Sequence, residues 1–350
     1  MFKKVKIAFS AIDSFMSVKK AYKNDFKKAP RPIIMHFETT YRCTCKCVFC
    51  NRWSEGPKRF KQELSYDEII SLIDQAYDLG VRMIYLSGGE PLLKKDILKA
   101  MLYARNKGIE TSATHNGTLI NEKNVHEVLA AFNSINISLD SLDRKTHDEI
   151  RGVKGTFDKA MRSIRLLKKY SKNTIINVQS VLTSENIHDI SEINKKFSKM
   201  GVYTSFQPIH DKLDNNFIVR EKRFKNFDLA NLRDDYAAII NGYIYPNFAR
   251  KFIFKKYYDK AAEYIIDPNS TKGCFNCLAG SLNFFVNPYG EVYPCDPLRK
   301  SMGNIRKKSL KDIWYDKKNN ALRREIKNRK CNCWLLCESL AFVNLKRFIK

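Results

Sequence analysis

Four cysteines fall within eight positions of the segment YRCTCKCVFCNRW, at Cys43, Cys45, Cys47 and Cys50. Thiolates at such short spacing bind metal, and two chemistries compete. All four can close around a structural zinc ion. Alternatively Cys43, Cys47 and Cys50, at C-x3-C-x2-C, can hold three irons of a [4Fe–4S] cluster and leave the fourth iron open to a small molecule. Six more cysteines stand near the C-terminus, at 274, 277, 295, 331, 333 and 337. Such grouping in a chain without a secretory signal points to metal ligands rather than disulfides. A further chemical element is Ser87-Gly88-Gly89-Glu90-Pro91. Paired glycines let backbone approach a ligand closely, and Glu90 offers an acceptor for an ammonium group.

Regular elements must position these groups. PIIMHFETT (32–40) reads as a buried strand leading straight into the cysteine loop. Ser65 and Glu68 form a capping-box signature for a helix that ends at Gly80. Strand RMIYLS then runs into the Gly-Gly-Glu turn. The strand–helix unit recurs about six times through residue 210, which predicts a parallel α/β sheet or barrel. Both chemical loops then lie at C-terminal strand ends, where such folds place reactive groups. Residues 211–268 read as an aromatic, basic helical insertion, and LNFFVNPYGEVYPCD as a β-hairpin turning at NPYG.

The chain has 350 residues, 44% of them hydrophobic, enough for a full-sized core. It contains no apolar run long enough to span a bilayer and no signal peptide, so a cytoplasmic location is expected. The net charge of +26 admits a polyanionic partner. Lysine is nevertheless spread along the whole chain beside Ile and Asn, so charge alone selects no function.

The order CTCKCVFC, SGGEP, THNGT (114–118) and ISLDS…HDEIRG (137–152) resembles the radical S-adenosylmethionine (SAM) enzymes over residues 32–210. The resemblance implies a partial (β/α)6 barrel carrying a small C-terminal Cys-rich β-hairpin/helix extension. It implies that Cys43, Cys47 and Cys50 hold the SAM-binding [4Fe–4S] cluster, leaving Cys45 as a bystander. Phe49 would lie near the adenine. Gly88, Gly89 and Glu90 would face the methionine amino group. Asn116 and Ser138 would approach the ribose or carboxylate, Arg151 would pair a carboxylate, and Gln207 would border the adenine.

Cys277, Gly290 and Cys295, followed by CNCWLLCE, resemble the SPASM or shorter twitch extension of this family, occupying 269–350. The count fits one auxiliary [4Fe–4S] cluster on Cys277, Cys295, Cys333 and Cys337. Cys274 and Cys331 are spare or substitute ligands, and a zinc site built on the same thiols is the competing reading.

The implied chemistry is reductive cleavage of SAM to a 5′-deoxyadenosyl radical that takes hydrogen from an unactivated C–H. An electron donor of the ferredoxin or flavodoxin type is expected. Residues 1–31 read as a basic amphipathic helix, with Val5, Ala8, Phe9, Ile12, Phe15 and Met16 on one side. That pattern suits peripheral contact with an anionic membrane, packing on the barrel being the plain alternative. The leading expectation is therefore a lipid hydrocarbon chain as substrate, including C–C joining of archaeal isoprenoid chains. Peptide or protein modification is second. Residues 1–31 are too few for a folded leader-binding domain, so a separate partner would recruit such a substrate. RNA modification is third, since no RNA-binding module is recognisable.

Overall fold

The computed structural model describes residues 2–209, 248–271, 273–274, 276–329 and 333–334. Helix α1 (Phe2–Lys23) precedes six strands: β1 (Ile34–Thr40), β2 (Met83–Gly88), β3 (Glu110–His115), β4 (Ser134–Ser138), β5 (Ile175–Leu182) and β6 (Tyr203–Pro208). Between them run α2 (Arg52–Arg59), α3 (Tyr66–Leu79), α4 (Ile97–Lys107), α5 (Val125–Ala131), α6 (Arg144–Arg151), α7 (Thr156–Tyr170) and α8 (Ile190–Lys199). After α9 (Phe248–Ile266) come β7 (Asn283–Val286), β8 (Glu291–Tyr293), β9 (Gly303–Asn304), α10 (Leu310–Tyr315) and α11 (Lys317–Asn328).

All nine strands form one sheet in the order β6-β5-β4-β3-β2-β1-β7-β8-β9. Pairing is parallel from β6 to β7, and antiparallel beyond. The sheet is open, a partial barrel. The C-terminal hairpin is not a separate layer: β7 pairs directly with β1, from Ile34–Asn283 to Phe37–Val286. Sequence periodicity places a boundary near residue 269, and the sheet crosses it because β7 pairs the edge of β1 that β2 leaves unpaired.

Alternation along the strands divides the two faces. Ile84, Leu86, Ile135, Ile137, Ile176, Val178 and Phe206 pack against the helices in the main core. The opposite, inner face is polar. Ser134 bonds Ser112 at 2.7 Å, Asn136 donates to Thr114, and Asn177 donates to both Asn136 (3.0 Å) and Ser205 (2.8 Å). Beside them, level with Ser112, a ring stack runs across three strands, His36 lying 4.3 Å from Phe285 and 5.4 Å from Tyr85.

The expected capping box of α3 is present: Ser65 accepts from the Glu68 N–H, and Glu68 accepts from the Ser65 N–H. The edge of β6 is closed by α9, whose Tyr258 hydroxyl accepts from the Phe206 N–H at 3.1 Å. Pro208 has no N–H to offer there. The helical end of the expected insertion is thus part of the core, while residues 210–247 lie outside the described residues.

Helix α1 packs through Ser14, Val18, Ala21 and Tyr22. Ile12, Phe15 and Met16, expected on its buried or membrane side, are exposed, and the side chains of Val5, Ala8 and Phe9 lie outside the described part. The Arg31–Asp13 ion pair and the Arg31 N–H bond to Ser17 fix which side turns inward. No helix among the described residues is long and apolar enough to cross a membrane.

Candidate functional site

The cysteine loop leaves β1 and is walled by backbone on three sides. The Gly89 N–H donates to the Thr40 carbonyl (2.7 Å) and the Glu90 N–H to the Arg42 carbonyl (2.8 Å). A Cβ on Gly89 would lie under 3.0 Å from Tyr41 and Arg42 backbone, one on Gly56 likewise, and one on Gly152 would strike the Lys46 carbonyl. The paired glycines therefore admit the chain's own loop. From α6, the carbonyls of Arg151 and Ile150 accept from the N–H groups of Lys46 (2.9 Å) and Val48 (3.0 Å). Local sequence could not reveal these walls, because each joins segments far apart in the chain.

Within the loop the four thiols differ. Cys45 is buried, and its hydrogen bonds to Cys43 and Cys47 push its pKa up. The same bonds hold Cys43 below the ordinary thiol value and bring Cys47 down to about 7, against the opposing effect of burial. Burial raises Cys50. Among the described residues, no three Cys, His, Asp or Glu side chains converge on one point that could hold a single ion. A zinc knuckle finds no support in that geometry. Cluster ligands bind separate irons and need no such convergence. We expect Cys45→Ala to keep its iron and to cleave SAM within about threefold of wild type, as a surrounding side chain rather than a ligand would. Iron analysis and 5′-deoxyadenosine yield check this; a Cys43→Ala-like loss would make Cys45 a ligand.

Of the other expected site residues, Glu90, Asn116 and Arg151 meet this loop or its flanks, with altered partners, and Ser138 and Gln207 stand on other strand ends. Glu90 is buried, and its carboxylate contacts His115 Nδ1 (2.7 Å) and accepts from the Asn116 N–H (2.8 Å). It clasps the ends of β2 and β3 together. Asn116 Nδ2 donates to Thr44 Oγ1 (2.8 Å) and reaches Cys43 Sγ (3.6 Å). Arg151 is buried rather than on the surface. It donates to Asp140 Oδ1 (2.8 Å), reaches Cys47 Sγ (3.8 Å), and lies 5.5 Å from the Phe49 ring. Its carboxylate partner is thus Asp140, within the chain. Ser138 is buried at the end of β4, and Gln207 is half-buried on β6, two strands away. Sequence reading passed over Asp140, Thr44 and Thr118, although Asp140 stands inside the ISLDS signature.

Two buried histidines are neutral. Burial pushes His147, whose Nδ1 accepts from the Asp140 N–H (3.1 Å), down to about 4, and His36 down to about 3. Both titrate near 6.5 once unfolded, so the unfolded chain binds more protons than the native one between that value and the native pKa. Stability is therefore full above pH 6.5 and falls as pH drops below it. The expected difference between pH 7.5 and 5.5 is about 2–3 kcal/mol for the pair. Urea midpoints should show it, and His147→Gln should remove about half.

Hydrogen bonds join the C-terminal cysteine segments in two pairs. Gly280 N–H donates to Pro294 carbonyl (3.1 Å), joining the Cys277 turn to Cys295. Thr271, whose carbonyl accepts from the Cys274 N–H, also accepts from buried Trp334, next to Cys333. Cys274, held as spare by the sequence reading, thus stands beside the expected ligands. Cys331 and Cys337 lie outside the described residues. Arg323 clamps the turn by donating to the Gly280 and Trp314 carbonyls, and burial pushes Tyr22 of α1 up to about 12.

An open parallel barrel with a thiol loop at its C-terminal edge and a second thiol group on its continuing sheet defines an iron–sulfur enzyme class. The "Radical SAM superfamily" family model matches residues 37–197, and the SPASM model, "Iron-sulfur cluster-binding domain", matches 277–337. The chain carries a radical SAM domain over residues 37–197 and a SPASM region over 277–337. Its cofactors are SAM, the [4Fe–4S] cluster that binds it, and auxiliary iron–sulfur. Similar proteins include an AdoMet-dependent heme synthase of Methanosarcina barkeri, 26% identical and covering 81% of this chain and 82% of that one. The subtilosin bacteriocin biosynthesis protein AlbA of Bacillus subtilis is also 26% identical, over 81% and 60% of the two chains. Among solved structures, Streptococcus suis SuiB bound to its precursor peptide SuiA superposes with a TM-score of 0.62 at 21% identity, covering 87% and 69%.

Proposed function

We propose that this enzyme abstracts hydrogen from an unactivated C–H of a peptide or protein substrate held against the inner face of the sheet. The observation that carries this reading is the row of Ser112, Thr114, Ser134, Asn136, Asn177 and Ser205 across β3 to β6. Peptide amides can exchange hydrogen bonds with such groups. A hydrocarbon offers no such exchange. The expected lipid substrate loses its support on that ground, and the relatives act in heme and bacteriocin biosynthesis.

Cys43, Cys47 and Cys50 would hold the catalytic cluster, and Cys277, Cys295 and Cys333, with Cys337 or Cys274, the auxiliary one. With SAM bound, the cluster supplies the electron and the radical chemistry. The chain's own part is positional. The Cys45 N–H donates to Cys43 Sγ, Arg151 presents positive charge to Cys47, and Glu90 fixes Asn116 against Cys43.

A second reading is oxidation of a tetrapyrrole side chain, favoured by the similarity to heme synthases. Against it, the buried cations around the site are already matched: Arg151 with Asp140, Arg52 and Arg299 with Glu38 and Asp296, and Lys94 with Glu63. Propionates would have to compete for them. Anaerobic 5′-deoxyadenosine assays with a short-peptide library, an iron porphyrin bearing propionates and a polar lipid extract separate these readings. Stimulation by peptide alone is expected. Stimulation by the porphyrin alone, or by lipid alone, overturns the peptide reading.

A further inference from the structure

The ladder between β1 and β7 stops at Phe37–Val286, short of the cysteine loop. Beyond it, four buried charges bridge the two thiol regions. Arg52, two residues after Cys50, bonds Glu38 Oε1 (2.7 Å) and Asp296 Oδ2 (2.6 Å). Asp296 follows Cys295 directly. Arg299 bonds Asp296 Oδ1 (2.5 Å) and Glu38 Oε1 (3.1 Å), and donates to the Tyr41 hydroxyl (2.8 Å). Tyr41 in turn donates to Glu38 Oε2 (2.8 Å), closing the ring two residues before Cys43. All four charged side chains are at most 13% exposed. Arg299 adopts φ +41°, a left-handed conformation that a non-glycine residue keeps only when its surroundings over-determine it.

From this geometry we infer that Glu38, Arg52, Asp296 and Arg299 form a charge-balanced tie coupling the auxiliary thiol region to the catalytic one. The auxiliary side thereby positions the segment on either side of Cys43–Cys50. Two carboxylates and two guanidiniums cancel only as a set, so removing one leaves an unmatched buried charge beside the catalytic thiols. Arg299 and Asp296 are positioning residues here. The inference rests on the two iron–sulfur regions and not on the identity of the substrate.

The test uses reconstituted holoenzyme, with iron per chain, the EPR signal of the reduced catalytic cluster and the Kd for SAM as readouts. R299M should keep its iron, shift the EPR signal and bind SAM about tenfold more weakly, an ordinary size for coupling between two sites. R299K, which keeps the charge without the fork, should lie between R299M and wild type. The double variant D296N/R299M, neutral again, should recover most of the SAM affinity. Wild-type affinity and signal in R299M overturn the tie. So does a double variant no better than R299M, because charge balance would then not be the operating feature. Loss of all iron in R299M and R299K alike would make the quartet a folding element only, and also overturns it.

Discussion

Gly89→Ala is expected to destroy the catalytic half of the enzyme while leaving the sheet folded. The new Cβ would sit under 3.0 Å from the backbone of Tyr41 and Arg42. Backbone held by the Gly89–Thr40 and Glu90–Arg42 hydrogen bonds has no flexible end to move aside. Relief requires pulling the β2 turn off the loop that starts at Cys43. Overpacking of this kind costs about 3 kcal/mol locally, and a displacement of about 1 Å in a catalytic group can cost 10²-fold in rate. 5′-Deoxyadenosine formation should fall by about 100-fold or more, with SAM-bound EPR signal lost and auxiliary iron retained. Gly108→Ala is the control, since a Cβ there meets nothing within 4 Å. Its left-handed φ of 95° still costs about 1 kcal/mol of stability, without loss of activity. Equal activity losses in the two variants would mean that the close approach at Gly89 is not what the loop depends on.

Asp140→Asn should produce the largest stability loss of a single polar change. Asp140 is fully buried, binds the Arg151 guanidinium through both oxygens, and accepts from the Val181 N–H at 2.9 Å. An amide keeps the shape and one acceptor but strands a buried cation, at a cost of about 3–5 kcal/mol. Arg151 also reaches Cys47 and lies over Phe49, so the damage should extend to the loop. Urea unfolding of the apoprotein gives the stability change, and iron content of the reconstituted protein gives the effect on the site. Wild-type urea midpoints in D140N would show that the pair is solvated in solution and only weakly coupled to the fold.

Local patterns carried much of this protein. The α3 capping box, the strand run into Cys43 and the alternation along β5 are consequences of neighbours within a few residues, so one-dimensional spacing reports them. The thiol spacing and the Gly-Gly-Glu turn were legible for the same reason. What the glycines approach was not: a tight contact between Gly89 and Tyr41–Arg42 depends on where two distant loops meet. Which side of α1 turns inward was not legible, because the stripe of Ile12, Phe15 and Met16 suited a membrane or the barrel equally, and it is exposed. Small Ser14 and Ala21 pack closer, and Arg31 ties that side down.

The order of motifs by itself determined the enzyme class, its cofactors and the repeated strand–helix plan, because each rests on covalent spacing along the chain. Tertiary structure alone decided that β7 extends the main sheet, that Arg151 answers to Asp140, and that the inner face sets hydroxyls and amides of β3 to β6 beside the rings of His36, Tyr85 and Phe285. Charges and faces are brought together from separate elements, as Glu38 and Arg299 are across 261 residues of chain. A buried charge must find its partner wherever the fold delivers one, and its position in the sequence does not say where that will be.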